Sequence, residues 1–452
     1  MKQARQKAND GLSRAVTLSE EQVVAVPAAG RDLFLVSTAH AFIHAITVLM
    51  PLVYPLIQQE YHLSYTQIGL VVALPNALGG FFQVAFGLVS RYVLRKVLLG
   101  VGAILGGLST LLTGTINGFW PLMTWSTAFR LATAPQHPVG SSYLTDRYGQ
   151  RRHGYALAWH IAGGNIGTLA VPLIAGPLLG LWGWRPLLYV AALPGILVGI
   201  AILILLEERG SLDRRSRTRK GRTETAQRSS SSLPADGHQG RLQARQELLQ
   251  AGKSLLLPLR NRTLLIIMAV SIIAAGGRGL GNVTTYVPLY LQNVRQIDSR
   301  LQGFLLTLLL LGSVIGPLLG GRLSDRLGRR PMLYLFYGAS AATTFLFIEV
   351  ARPGMPFWLI PPALLLMGLA VYAEAPLLQA YLADSASRDL RDNAFSLYFA
   401  LAFGVGSAWG GIIGWLIDRF GFQLAFIVMA ASYLLAGCLL TLIRQKPTAS
   451  QV

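Results

Sequence analysis

The sequence is short of charge, and almost without cysteine. Asp, Glu, Lys and Arg make up 13% of its 452 residues, about half the share of an ordinary soluble chain. A surface meant to face water on every side is therefore excluded. The one cysteine, Cys438, leaves nothing for an intrachain disulfide. No Gly-rich loop ends in Lys-Ser or Lys-Thr, so pumping by ATP hydrolysis finds no support. No enzyme motif and no close Cys/His/acid spacing is present, so neither a cofactor nor a structural metal is expected. The first 30 residues lack an apolar core and a cleavage site, so no signal peptide is expected, and targeting falls to the first apolar run.

What the sequence has instead is long apolar runs, with 52% of all residues hydrophobic. Twelve can be marked, at 33–57, 67–90, 97–117, 119–145, 153–180, 186–206, 262–291, 301–321, 331–350, 357–384, 393–417 and 422–443. Such runs cross a hydrocarbon core of about 30 Å at about 1.5 Å per residue. Backbone polar groups in lipid must be satisfied within the segment, so each is expected to be a helix. The expected fold class is an all-α membrane protein of 12 transmembrane helices, here spans 1 to 12, with the lipid bilayer as its surroundings.

The formal charge of +19 sorts by side. Between the spans, one side carries Arg185, Arg295, Arg300, Arg352 and Arg419, and nearly all the remaining Lys and Arg fall on the other. The positive-inside rule then places both termini in the cytoplasm of a cell (inner or plasma) membrane. The basic balance is thus an orientation signal, and no nucleic-acid partner is expected. The domain reading is a cytoplasmic tail (1–32), a six-helix bundle (33–206), a basic cytoplasmic linker (207–261), a second bundle (262–443) and a cytoplasmic tail (444–452). The linker, with its run Ser229–Ser232, is expected to be disordered in its middle.

The two halves repeat. Tyr143-Leu144-Thr145-Asp146 returns as Tyr381-Leu382-Ala383-Asp384, and Gly87 corresponds to Gly321, at offsets of 238 and 234. Glycines of spans 5 and 11 (Gly163, Gly164, Gly167; Gly404, Gly406, Gly410, Gly411) read first as close helix packing. Paired bundles of this kind put a solute site near the midplane between the repeats.

Between spans 8 and 9 lies Gly321-Arg322-Leu323-Ser324-Asp325-Arg326-Leu327-Gly328-Arg329-Arg330. Its pattern of Gly321, Asp325, Arg326, Gly328, Arg329 and Arg330 resembles the loop signature of the major facilitator superfamily, a resemblance that covers about 33–443. Over 40–177 the chain is most similar to the fosmidomycin-resistance type of exporter. That likeness rests on His40, Tyr54-Pro55-Leu56, Gln67-Ile68-Gly69, His137-Pro138, Arg152-His153-Gly154 and Gly163-Gly164-Asn165. Those exporters carry acids where this chain has His44 and Val139. The resemblance implies two pseudo-symmetric six-helix bundles and secondary active transport of a small-molecule substrate, with proton-coupled efflux first and the proton as coupling ion. It also implies a monomer with a cavity lined by spans 1, 4, 7 and 10. A metabolite uptake symporter, and a transport-dead membrane sensor or receptor, are the alternatives.

Ionisable groups inside spans cost about 2.5–3.5 kcal/mol each on insertion scales, which makes them functional candidates. They are His40 and His44 in span 1, Arg130 and His137 in span 4, Arg278 in span 7 and Glu374 in span 10. The repeat offset sets Arg278 opposite the histidine pair and Glu374 beside His137, so one shared polar site is expected. Two arginines and one acid suit an anionic or zwitterionic solute, with Glu374 as a protonatable group and the histidines as proton relays. Arg130 has a plainer reading as a structural partner of Glu374. His160, Asn165, Tyr286 and Tyr372 are lesser candidates.

The turn at 321–330 is expected to gate, with Asp325 capping a neighbouring helix N-terminus. The first-half copy has Arg91 in place of the acid and Leu94 in place of the second glycine. Only the second turn is therefore expected to latch.

Overall fold

The computed structural model describes residues 26–90, 92–208, 256–387 and 390–443, and all regular structure among them is helical. The expectations placed on the tails, on Arg91 and on the middle of the linker fall outside the described residues. The first half holds α1 (Val26–Tyr61), α2 (Tyr65–Val89), α3 (Arg95–Thr113), α4 (Phe119–Thr133), α5 (Ser141–Trp182) and α6 (Trp184–Leu205). The second holds α7 (Arg262–Ala274), α8 (Thr284–Asn293), α9 (Ser299–Leu327), α10 (Arg329–Val350), α11 (Ile360–Val371), α12 (Glu374–Ser385), α13 (Arg391–Phe399) and α14 (Trp409–Leu440). Helix starts are set by short polar side chains where the sequence offers them. Asn261 accepts from the Thr263 N–H at 2.9 Å, and Asp298 accepts from the Arg300 N–H at 2.8 Å.

Among the described residues, ten segments are long and apolar enough to cross a membrane. The other two spans are hidden by local breaks. Pro138 has no N–H to give Ala134, so the helix widens into a π-type turn at Gln136–Gly140 and span 4 is cut in two. Spans 11 and 12 run together across Gly421, where φ reaches 80°.

The long α5 hides a reversal. Gln136 donates to Val36 O, Tyr143 and Arg147 reach Asp32, and Tyr148 donates to Ala29 O, so this stretch runs antiparallel to α1. From His160 onward the order inverts, with Gly163 against Ser37, Gly167 against Ala41 and Thr168 against His44. Span 4 therefore ends, and span 5 begins, between Tyr148 and His160. The result is the expected all-α membrane fold, two six-helix halves with their apolar flanks exposed where lipid would lie.

The halves close on each other on one side, away from the 207–261 linker. Asn293 donates to Gln58 Oε1 at 2.6 Å and to Tyr65 Oη at 3.0 Å, and accepts from Gln59 Nε2 at 3.0 Å. Asp418 accepts from the N–H groups of Tyr65 and Thr66 at 2.9 and 2.8 Å and from Thr66 Oγ1 at 2.5 Å. Gly303 of α9 crosses α5 so closely that a Cβ there would overlap Pro172 O.

The linker side has its ion pairs within each half. Arg329 lies 3.1 Å from Asp384, and Arg95 lies 2.8 Å from Asp146. These pairs are repeat-related, 234 residues apart at the arginines and 238 at the acids. Each pair joins the basic end of its turn to the acid ending span 4 or span 10, so both halves carry the same contact.

Asp325 stands beside Arg329. It lies in the last turn of α9 and pairs with Arg329 at 2.6 Å, while Gly328 stands at the N-terminus of α10 without a side chain to cap it. The acid at a helix start of the other half is Asp418, which takes first-turn N–H groups of α2.

Candidate functional site

Between the halves lies a cavity of about 350 Å³, within the size range of small-molecule sites. Its walls come from spans 1, 2, 3, 4, 7 and 11. Span 10, expected there, contributes none of the lining, and spans 2 and 11 take its share.

Arg130 and Arg278 both reach the cavity, by different means. Arg130 is held by one bond, from its Nε to Asn76 Oδ1 at 2.6 Å. Its terminal nitrogens carry no hydrogen bond or ion pair among the described residues, so the planar fork is free for a ligand. The structural pairing of Arg130 with Glu374 is not made.

Arg278 stands where span 7 comes apart. Its own backbone is extended (φ −56°, ψ 132°), and Gly281 takes φ 140°, which a side chain would oppose. Arg278 then satisfies backbone oxygens beside the break: Nη1 donates to Ala402 O at 3.0 Å, and Nη2 to Ser271 O at 2.9 Å and Ser271 Oγ at 3.1 Å. Ala402 itself lies in a π-type turn of span 11, Ala400–Val405. Two interrupted helices thus meet at one arginine, the tolerated place for irregular backbone at membrane depth.

Glu374 sits behind Arg278, fully buried in the first turn of α12 and off the cavity wall. Its Oε1 is 3.9 Å from Arg278 Nε and makes no hydrogen bond, and Oε2 accepts a long bond from Tyr337 Oη at 3.4 Å.

The histidines converge. His40 and His44 share a face of α1, and His137 is carried toward them by the Pro138 turn, with ring centroids 5.0 Å from His40 and 6.0 Å from His44. His44 and His137 line the cavity, while His40 is buried behind them. His160 stacks on His40 at 4.1 Å. The sequence spaces only His40 and His44 closely, and the third member, His137, arrives from another helix.

Of the lesser candidates, Tyr286 is buried and donates to Gly410 O at 2.6 Å, Tyr372 is buried with no partner for its hydroxyl, and Asn165 does not line the cavity. Sequence reasoning missed Asn76, Tyr54 and Asn282 on the wall. The signal for Asn76 was a polar residue directly after a proline inside an apolar run. The residues of the 321–330 turn stand far from this cavity's lining, with Arg330 donating to Leu440 O at 3.2 Å and Arg322 and Arg326 exposed.

The family model for the Major Facilitator Superfamily matches residues 33–411, and again 295–452. The chain belongs to the major facilitator superfamily. It is 25% identical over 408 residues to the cis,cis-muconate transport protein of Acinetobacter baylyi, covering 86% of this chain and 88% of that protein. It is 33% identical to the D-xylose transporter of Levilactobacillus brevis over 110 residues, which is 24% of this chain and 23% of that protein. The crystal structure of the nucleoside transporter NupG superposes with a TM-score of 0.72 at 11% identity, over 92% of this chain and 98% of that one. The protein is thus a multi-pass membrane transporter of the superfamily, and not an enzyme.

Proposed function

We propose that this superfamily member carries a small anionic or zwitterionic solute across the cell membrane by alternating access, coupled to protons, with both termini cytoplasmic. The carrying observation is the free guanidinium fork of Arg130 in a cavity whose lining includes a second arginine and no carboxylate. A planar fork of this kind suits bidentate binding of a carboxylate or phosphate. The muconate of one relative's name is a dicarboxylate, which agrees with this class. The bundles at 33–206 and 262–443 would rock about the cavity, and the bilayer sidedness follows from the charge asymmetry of the loops. In that orientation the cavity faces the cytoplasm, closed outside by Asn293 and Asp418.

Coupling would run through Glu374. An anion drawing on Arg278 and a charged Glu374 compete for one guanidinium, so protonating Glu374 releases Arg278 to the solute. Proton and anion then bind together, which is the linkage of a symporter. That pairing favours uptake, the second reading. Export rests on the resemblance of the first half to fosmidomycin-resistance exporters, and would need solute and proton to exclude each other.

The test is pH-gradient-driven flux in proteoliposomes with labelled dicarboxylates, sugar phosphates and phosphonates, beside neutral sugars and cationic drugs. The expected result is flux of an anion that Arg130→Ala abolishes. A gradient acid on the solute side drives it if the linkage is symport, and the opposite gradient if it is antiport. Anion flux unchanged by Arg130→Ala and Arg278→Ala refutes the site.

A further inference from the structure

We propose that His40, His44 and His137 form a binding site for a late first-row divalent cation such as Zn²⁺, Co²⁺ or Ni²⁺, with its fourth coordination position open to the cavity. One ligand nitrogen from each histidine can be chosen so that all lie within 4.8 Å of one another. The closest pair, His40 Nε2 and His44 Nε2, is 3.2 Å apart. Two imidazole nitrogens on one tetrahedral ion at about 2.0–2.1 Å stand roughly 3.3 Å apart, so this pair already has the edge length of such a site.

The protons of the two rings point to the same conclusion. His40 Nδ1 lies 2.8 Å from His160 O, and a carbonyl can only accept, so His40 carries its proton on Nδ1. Thr168 Oγ1 spends its one proton on Gly164 O at 3.0 Å, so it accepts from His44 Nδ1 at 3.3 Å. Both Nε2 atoms are thereby left as bare lone pairs facing each other. Two lone pairs at this distance repel unless a cation lies between them. A backbone carbonyl and a hydroxyl on Nδ1 are also the outer contacts that orient metal-bound histidines and raise their basicity.

The rest of the surroundings fits a nitrogen-loving ion. His137 is exposed to the cavity on the Pro138 turn, so a modest side-chain rotation completes the triad and leaves a face open. His160, 2% exposed, stacks on His40 and shields the inner face from water. The cavity lining offers no carboxylate, so Mg²⁺ and Ca²⁺, which need oxygen ligands, are disfavoured, while imidazole suits Zn²⁺, Co²⁺ and Ni²⁺. This inference rests on the three rings alone and stands whichever solute is carried.

The experiment uses the full-length protein in detergent, with no polyhistidine tag and stripped with EDTA, titrated with Co²⁺ alone. The expected result is saturation at one equivalent per chain, with the intense visible bands of four-coordinate Co²⁺, and displacement by Zn²⁺. His44→Gln and His137→Gln should each weaken binding by 100-fold or more. Thr168→Val, which touches no ion, should weaken it about 10–100-fold through His44 orientation. All variants are checked for a monodisperse elution profile, and Thr168→Val carries the test should a histidine variant fail it. The proposal is overturned if wild-type protein shows no saturable Co²⁺ binding, as it would if the two Nε2 atoms merely share a proton. It is equally overturned if binding survives the substitutions unchanged, because the ion then lies elsewhere.

Discussion

Replacing Asp418 by Ala removes three hydrogen bonds that span the two halves and exist only while the side away from the linker is closed. Its carboxylate takes the N–H groups of Tyr65 and Thr66 and the Thr66 hydroxyl, at 2.9, 2.8 and 2.5 Å. Ser64 is the N-cap of α2 and takes the Gln67 N–H, and Asp418 of the other half satisfies the first-turn N–H groups that Ser64 leaves open. Loss of a capping acceptor at a helix start costs about 0.5–2 kcal/mol, part of it from the charge meeting the positive end of the helix. Asp418 is exposed, which tempers the charge contribution, so about 1.4 kcal/mol is a fair figure for the whole interaction. That corresponds to about a tenfold shift toward the conformation open on this side. Both carboxylate oxygens accept, and Asn offers only one acceptor oxygen, so Asp418→Asn should shift the balance part of the way toward Asp418→Ala. Spin labels at His62 and Gln296, both exposed and on opposite halves, report the opening by pulsed electron resonance in a Cys438→Ser background. Equal distance distributions for wild type and Asp418→Ala refute the assignment.

Gly303→Val should act in the same direction through shape, since its side chain would strike Pro172 O; the same label pair should show a wider gap, with the fold retained. Glu374→Gln should leave solute binding intact and flatten the pH dependence of flux, measured in proteoliposomes between pH 5 and 8. Asp325→Ala loses the bond to Arg329, far from the cavity lining, and should lower the transport rate without changing the apparent substrate affinity. An unaltered rate would remove the turn from the gating cycle. Arg95→Ala with Asp146→Ala, and Arg329→Ala with Asp384→Ala, should give matching double-mutant coupling energies of about 1 kcal/mol or less, as expected for partly exposed pairs.

The spans were legible because the cost of bare backbone in lipid forces long apolar runs into helices. What stayed hidden were the departures from helix, and the site is made of them. A proline follows His137, yet nothing in the sequence says that the resulting break turns His137 toward His40. Glycines crowd span 7 around Arg278, but its extended backbone is accompanied by an acceptor from span 11 that the sequence does not connect to it. Repeat arithmetic placed Glu374 beside His137. The structure puts it behind Arg278 instead, because equal offsets fix the position along a span but not the face a side chain takes.

The same limit explains the gating turn. Sequence symmetry compared the two turns with each other and found one damaged at its acid. Ion pairs also run from Arg95 and Arg329 outward to Asp146 and Asp384, residues at the far ends of spans 4 and 10, and those are present in both halves. Each half carries an ion pair of its own on the linker side, and on the opposite side Asn293 and Asp418 form a seam that joins the halves. For the cavity to reach the opposite side, that seam must part and a new one must form between residues of the linker side. Arg322 and Arg326, exposed on the 321–330 turn, are already at the edge where the second seam would form.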